Sequence, residues 1–204
     1  MILLKKLLKN SMNKYPEIEL RGPLRHGEEA VFYNLKNYLK IVKDKQLVVF
    51  MKELPLSLRI KSNQSLPYIE FIQKKKFKNL RSIHNEIGFR IQKKDVKDFL
   101  SILAQLGINK GFYSPVDRTD IFFSDITWSI KKGSIIGDYW EVEATDELAS
   151  KLKKKTSIIK YLMRSASGLG LKFWSETEFK THMDFSWKKV KPKPLSLLWK
   201  KYLN

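Results

Sequence analysis

The chain contains no cysteine, which excludes disulfides, thiolate metal sites and a cysteine nucleophile and fits a reducing compartment. Histidine is scarce too. His26, His84 and His182 stand alone, without H-x-x-x-H spacing, and read as surface or packed residues rather than ligands. No apolar run approaches the roughly 20 residues that span a bilayer. The opening Met1-Ile2-Leu3-Leu4-Lys5-Lys6-Leu7-Leu8 is too short, and too interrupted by lysine, for a secretory signal. A soluble, cytoplasmic protein is the expectation. The sequence also lacks G-x-G-x-x-G, Walker A and G-x-S-x-G motifs, internal repeats and any Gly/Ser-rich linker; Gly168-Leu169-Gly170 reads as a helix end. Acid is the last shortage: 21 Asp and Glu face 40 Lys and Arg, a formal net charge of +19. Such a field favours phosphate-bearing ligands and nucleic acid without choosing between them.

What is present suffices for one folded domain. The 204 residues are 43% hydrophobic and 12% aromatic, enough for a core and against wholesale disorder. Residues 1–14 carry four lysines and no acid, and residues 188–204 carry six lysines and no acid. Both segments also alternate leucine with lysine. Each could touch an anionic membrane surface weakly, or pack on the outside of the domain, which is the favoured expectation. Oligomeric state is left open by the sequence.

Along the chain, a strand at Glu17–Arg21 ends at Gly22-Pro23. A helix is predicted over His26–Lys43 from apolar residues at roughly helical spacing. Strands follow at Gln46–Met51, Leu56–Lys61, Tyr68–Lys76 and Ile83–Gln92, then an amphipathic helix over Lys94–Leu106 closed by Gly107. Arg118–Phe123 and Ile126–Lys131 read as a hairpin turning at Ser124-Asp125, followed by the strand carrying Glu141 and Glu143. Thr145 or Asp146 caps a helix to about Ser165, with Lys153-Lys154-Lys155 on its exposed face. Ser175-Glu176-Thr177-Glu178 is a capping box, and Leu195–Leu203 a short basic helix. The sum is about eight strands and a few helices in one α+β domain.

Two acidic triplets organise the functional reading. Glu17-Ile18-Glu19-Leu20-Arg21 and Glu141-Val142-Glu143 each project two carboxylates to one face of a strand. Either triplet alone also fits an edge strand with a solvated acidic face. Other strands pair an apolar face with a mainly basic one: Arg59 with Lys61, Lys74 with Lys76, Glu86 with Arg90, and Arg118. Turned inward, these faces would place roughly six cations around the four carboxylates, costly unless a ligand supplies partners. A polyphosphate with hard divalent cations would do so.

In order and spacing, E-x-E-x-R at 17–21, L-R-I-K at 58–61, Lys74, Arg118 and G-D-Y-W-E-V-E at 137–143 resemble the CYTH superfamily, the triphosphate tunnel metalloenzymes. The resemblance covers about residues 15–185. It implies an eight-stranded antiparallel β-barrel, a tunnel with flanking helices, in which acids hold metal and basic residues bind triphosphate. Carried over, Glu17, Glu19, Glu141 and Glu143 are metal ligands for Mg²⁺ or Mn²⁺. Arg21, Arg59, Lys61, Lys74 and Arg118 contact the triphosphate, with Glu86, Arg90 and Lys76 as secondary positions. The implied layout is a basic N-terminal segment (1–14), the tunnel domain (15–187), and a basic linker with a C-terminal helix (188–204).

The sequence departs from the family pattern in three places. Arg21 replaces a lysine, Asp117 stands at a basic position, and the strand after the hairpin reads Trp128-Ser129-Ile130-Lys131 where an aspartate is usual. The implied function is a metal-dependent hydrolase of an organic or inorganic triphosphate. A non-catalytic binder of nucleotide, polyphosphate or RNA 5′-triphosphate is the alternative, as is a class IV-type adenylate cyclase. General nucleic-acid binding through lysines and aromatics is a further reading.

Overall fold

The computed structural model describes residues 17–55, 57–77 and 80–203; the side chains at 75–85, 184, 185 and 187, and the basic segment 1–14, lie outside that description. Eight long or medium strands dominate: β1 (Glu17–Pro23), β2 (Lys40–Met51), β3 (Leu58–Asn63), β4 (Tyr68–Phe77), β5 (Leu80–Gln92), β6 (Lys110–Phe122), β7 (Ile126–Ser134) and β8 (Gly137–Ala144). Their order is β2-β3-β4-β5-β1-β8-β7-β6, every neighbouring pair antiparallel. β2 also pairs with β6, from Lys40↔Phe122 to Met51↔Gly111, and so joins the two ends of the order. The sheet curls into the expected antiparallel barrel. A two-residue strand, β9 (Lys193–Pro194), adds to β6 beside Lys110 and Gly111.

Alternation along each strand sends one set of side chains outward to the helices and the other into the barrel. The outward sets build two apolar clusters. One joins Ile18, Leu20, Ile121, Trp128, Ile130, Trp140 and Val142 of β1, β6, β7 and β8 to Phe32, Leu148, Ile158, Leu162 and Ala166. The other joins Leu47, Val49, Met51, Ile60 and Ile69 to Val96, Leu100 and Leu103, and to Leu195 and Leu198 near the C-terminus. The stabilising core therefore lies outside the barrel, which leaves the inner face for polar residues.

The helices follow from local signals. α1 (Glu29–Tyr33) supplies Phe32. α2 (Val96–Gln105) buries Val96, Leu100 and Leu103 on one stripe and ends before Gly107, whose φ of +81° suits glycine. α3 (Asp146–Leu152) is capped by Thr145, whose hydroxyl accepts from Leu148 N at 3.4 Å. α4 (Lys155–Gly168) buries Ile158, Leu162 and Ala166. α5 (Glu176–Trp187) opens with the full capping box between Ser175 and Glu178.

Three expectations are corrected. The helix expected over His26–Lys43 is only the five-residue α1. Asn37, at φ +64°, turns the chain, and Ile41 and Val42 instead pair with Ile121 and Asp120 of β6. Long-range ladder pairing of β-branched residues outweighs their helical spacing here. The single helix expected after Thr145 is two, because Lys153 adopts φ +57° and the Lys153–Lys155 run spans the break between them. The C-terminal helix is one π-helical turn, Leu198–Tyr202, and Leu195 and Leu198 bury their apolar side in the second cluster. That segment packs on the outside of the barrel.

Gly22 is the ladder partner of Trp140 on β8, and an added Cβ would lie 2.1 Å from the Lys172 carbonyl oxygen and 2.4 Å from Trp140 Cζ2. Gly22→Ala is expected to destabilise by about 1–3 kcal/mol, read by chemical denaturation. Gly168→Ala, with nothing within 4 Å, is expected to leave the midpoint unchanged or raise it slightly.

Candidate functional site

The strand registers carry the inward-facing charges to one place. On β1, Glu17, Glu19 and Arg21 share the inner face, while Ile18 and Leu20 go to the core. Pairing with β8 sets Glu19 opposite Glu143 and Arg21 opposite Glu141. On the other side of β8, Glu141 faces Ser129 of β7, and Lys131 faces Tyr139. β6 continues the row with Arg118 opposite Lys131 and Asp120 opposite Ser129. Across the barrel, Lys74 of β4 is opposite Glu86 of β5, and Arg59 and Lys61 project from β3.

These groups form a lattice of ion pairs. The Lys74 ammonium lies 3.2 Å from Glu17, 3.7 Å from Glu19 and 3.0 Å from Glu86. Glu86 Oε1 also accepts from Arg59 and Lys61, each at 3.3 Å. Arg21 bridges the two acidic strands, pairing with Glu19 and donating from Nε to Glu141 Oε1 at 2.5 Å. Lys131 Nζ donates to the other oxygen of Glu141. Asp120 accepts from Arg118 Nε at 2.7 Å and from the Ser129 hydroxyl at 2.6 Å. Among the described residues, no ion pair or side-chain hydrogen bond reaches Glu143.

Electrostatics follow the same division. Burial alone would raise Glu141, but Arg21, Lys131 and Lys74 hold it well below the usual carboxylate range. Glu86 is likewise lowered: Lys61, Lys74 and Arg59 overcome its burial and the Glu17 charge. Glu143 goes the other way. Burial, with Glu17 and Glu19 as like-charged neighbours, pushes it up to about 8. Burial pushes Lys61 down to about 8; Glu86 offsets this in part, and Arg59 and Lys74 reinforce it. Burial also lowers Lys131, against the pull of Glu141. Arg21 and Lys74 are raised, their carboxylates outweighing burial.

Of the expected residues, Glu17, Glu19, Glu141, Glu143, Arg21, Arg59, Lys61, Lys74 and Arg118 all face the barrel interior, and Glu86 joins them as a shared acceptor. Arg90 does not. Its side chain is 63% exposed, pairs with Glu70 at 3.4 Å and lies over the Tyr68 ring. The Lys76 side chain lies outside the described residues. The sequence reading missed Asp120, Ser129, Lys131 and Tyr139 as inward residues. Two-residue periodicity extended from Arg118 and Glu141 would have found Asp120 and Tyr139.

The resemblance implies a divalent metal, and the donor chemistry here fits one. Glu17, Glu19 and Glu143 are hard oxygen donors, and Glu19 and Glu143 are directly opposed like charges that a cation would relieve. Among the described residues, however, no three acidic or imidazole groups stand ready as a metal cluster. Lys74 and Arg21 hold Glu17 and Glu19, so a cation would have to displace them.

No family model matches the sequence, and no curated protein does. Solved structures do. The PH1012 protein of Pyrococcus horikoshii superposes with a TM-score of 0.61 at 19% identity, over 79% of this chain and 93% of its own. A proposed adenylate cyclase from Vibrio parahaemolyticus gives 0.56 at 13% identity, over 84% and 99%. A proposed adenylyl cyclase from Hippeastrum, HpAC1, described with a dominant triphosphatase activity, gives 0.51 at 13% identity, over 84% and 96%. At these identities the likenesses show a shared fold, the antiparallel barrel that the motifs implied. No helix of the described residues is long and apolar enough to cross a membrane.

Glu143 has a testable thermodynamic signature. Its folded pKa of about 8 lies above the ordinary carboxylate value near 4.5, so between these the unfolded chain releases this proton first. This group's contribution therefore erodes stability as pH rises from about 4.5 to about 8. Glu143→Gln is expected to melt higher than the parent at pH 8, by an amount on the order of a few kcal/mol, and to converge with it near pH 4.5. Parallel pH profiles of the two proteins would contradict this.

Proposed function

We propose that the protein hydrolyses a triphosphate-bearing substrate held inside the barrel, with Mg²⁺ or Mn²⁺ as its cation. The observation that supports this best is the interior itself. Arg21, Arg59, Lys61, Lys74, Arg118 and Lys131 face Glu17, Glu19, Glu86, Asp120, Glu141 and Glu143 inside a barrel whose apolar faces all point outward. No packing requirement of the outer core explains so many charges within. Enclosed ion pairs are weak sources of stability, whereas a polyanion with a divalent cation supplies partners to both signs at once. The likeness to HpAC1 agrees with this chemistry.

In the proposed reaction, water attacks the terminal phosphorus, the bridging P–O bond breaks, and phosphate leaves together with the shortened phosphate ester or diphosphate. Arg59, Lys61, Lys74 and Arg118 turn from their carboxylates to the phosphate oxygens, orienting the chain and stabilising charge that builds there. Arg21 holds the acidic strands in register through Glu19 and Glu141. Glu17, Glu19 and Glu143 would hold the metal, which supplies further neutralisation of the phosphates and an activated water.

The test is phosphate release from inorganic triphosphate, ATP, thiamine triphosphate and 5′-triphosphorylated RNA, with Mg²⁺ or Mn²⁺. Turnover is expected on at least one substrate, falling at least about 100-fold in the Glu17→Gln/Glu19→Gln protein. Absence of turnover on all four, with triphosphate still raising the melting temperature, would favour a binder over a hydrolase. A pyrophosphate-releasing, cyclic product from ATP would favour a cyclase.

A further inference from the structure

We infer that the C-terminal strap, residues 188–203, and the barrel rim beneath it form a binding surface for the phosphodiester backbone of nucleic acid. The surface lies on the outer wall, so the inference goes beyond the reaction proposed for the interior and does not rest on it.

The strap is fixed to the barrel. β9 extends the ladder of β6, with Lys110 opposite Pro194 and Gly111 opposite Lys193, and Leu195 N donates to the Asn109 carbonyl oxygen at 2.9 Å. The Tyr113 hydroxyl donates to the Pro194 carbonyl oxygen at 2.8 Å, and its ring stacks on Tyr202. Leu195 and Leu198 are almost fully buried, and Leu197, Trp199, Tyr202 and Leu203 pack against the same cluster. The fold thus uses the apolar side of the segment, and what remains outward is cationic. Lys188, Lys191, Lys193 and Lys200 are exposed. Exposed Lys52 and Lys110 join them at the rim, where Lys52 N donates to the Lys110 carbonyl oxygen at 2.9 Å. None of these six lysines makes an ion pair with another described residue. Glu53, after Lys52, is the only acid in the chain segments that build this face.

Holding like charges side by side costs self-repulsion, which a polyanion relieves. Other exposed cations of the wall meet acids, as Lys132 meets Glu29 and Lys172 meets Glu178. The chemistry of the partner follows from what the strap has already spent. Insertion into a bilayer needs an apolar face, and a protein interface needs apolar or aromatic anchors at its centre. Here those side chains belong to the second cluster. A phosphodiester backbone needs only cations along its path. With Trp199 and Tyr202 packed against the barrel, the phosphates and not the bases set the binding.

The test is fluorescence anisotropy of a labelled single strand of about 20 nucleotides with a 5′-hydroxyl, as RNA and as DNA, in EDTA. The full-length parent is expected to bind at least one of the two, and the arms show which source supplies the backbone. Lys188→Gln/Lys191→Gln/Lys193→Gln/Lys200→Gln is expected to weaken binding at least about tenfold at about 0.1 M salt. It should also flatten the slope of log affinity against log salt by about 3, since about 0.7 counterion is released per single-strand phosphate neutralised. Lys36→Gln/Lys151→Gln/Lys154→Gln/Lys160→Gln removes the same charge from exposed positions outside the strap and is expected to stay within about threefold of the parent, distant charges being screened at this salt. The barrel variant Arg59→Ala/Lys61→Ala is expected to do the same, and melting curves verify that each variant folds. Equal weakening in the strap and control variants would reduce the effect to bulk charge and overturn the inference. So would a loss in the barrel variant as large as in the strap variant, or a parent that binds neither strand. Phosphatidylserine vesicles are expected not to capture the parent at the same salt; capture that the strap variant loses would assign the surface to lipid headgroups and also overturn it.

Discussion

The structure depends on one constraint: charge turned into the barrel must be paired. Every strand spends its apolar face on the outer clusters, where Trp128, Trp140, Leu162 and Leu198 are almost fully buried against helices. The inner face is then left with charges from β1, β3, β4, β5, β6, β7 and β8, close enough that none can be ignored by its neighbours. The interior answers with shared partners. Lys74 serves three carboxylates, Glu86 serves three cations, and Arg21 ties two strands together. A barrel with its stabilising core outside can tolerate such an interior, because burial outside the barrel supplies the folding energy.

Pairing is incomplete where registers oppose like charges. Glu19 meets Glu143 across β1 and β8, and Arg118 meets Lys131 across β6 and β7. Shifting either ladder by one residue would turn the apolar set inward, so the registers are fixed by the core and the like-charge contacts come with them. Arg118 is relieved by Asp120 and Lys131 by Glu141, whereas Glu143 makes no ion pair among the described residues and is offset only in part by the Lys74 charge. The chemistry proposed for this protein is located at that imbalance.

Much of this was legible in the sequence. The acidic triplets, Arg59 with Lys61, Lys74 and Arg118 alternate with apolar residues, and period-two alternation is a direct statement of which face each residue occupies. Closure was not legible. The ladder of β2 with β6 joins residues some 60 to 80 apart, and its first turn overrode a helical spacing at Ile41 and Val42. Partner choice was equally hidden. That Lys131 belongs to Glu141, and Arg118 to Asp120, depends on registers of three adjacent strands. Arg90 shares the parity of Glu86 yet lies at the exposed rim, because parity gives the face of a strand and not the depth along it.

The central claim is that the paired charges of the barrel interior open to a triphosphate. Calorimetric titration of inorganic triphosphate with Mg²⁺ tests it most directly, comparing the parent with Arg59→Ala/Lys61→Ala, which leaves Glu86 its Lys74 partner. One saturable site in the parent, weakened at least about tenfold in the variant, is the expected result. Equal affinity in the two proteins, or no binding in the parent, would contradict it.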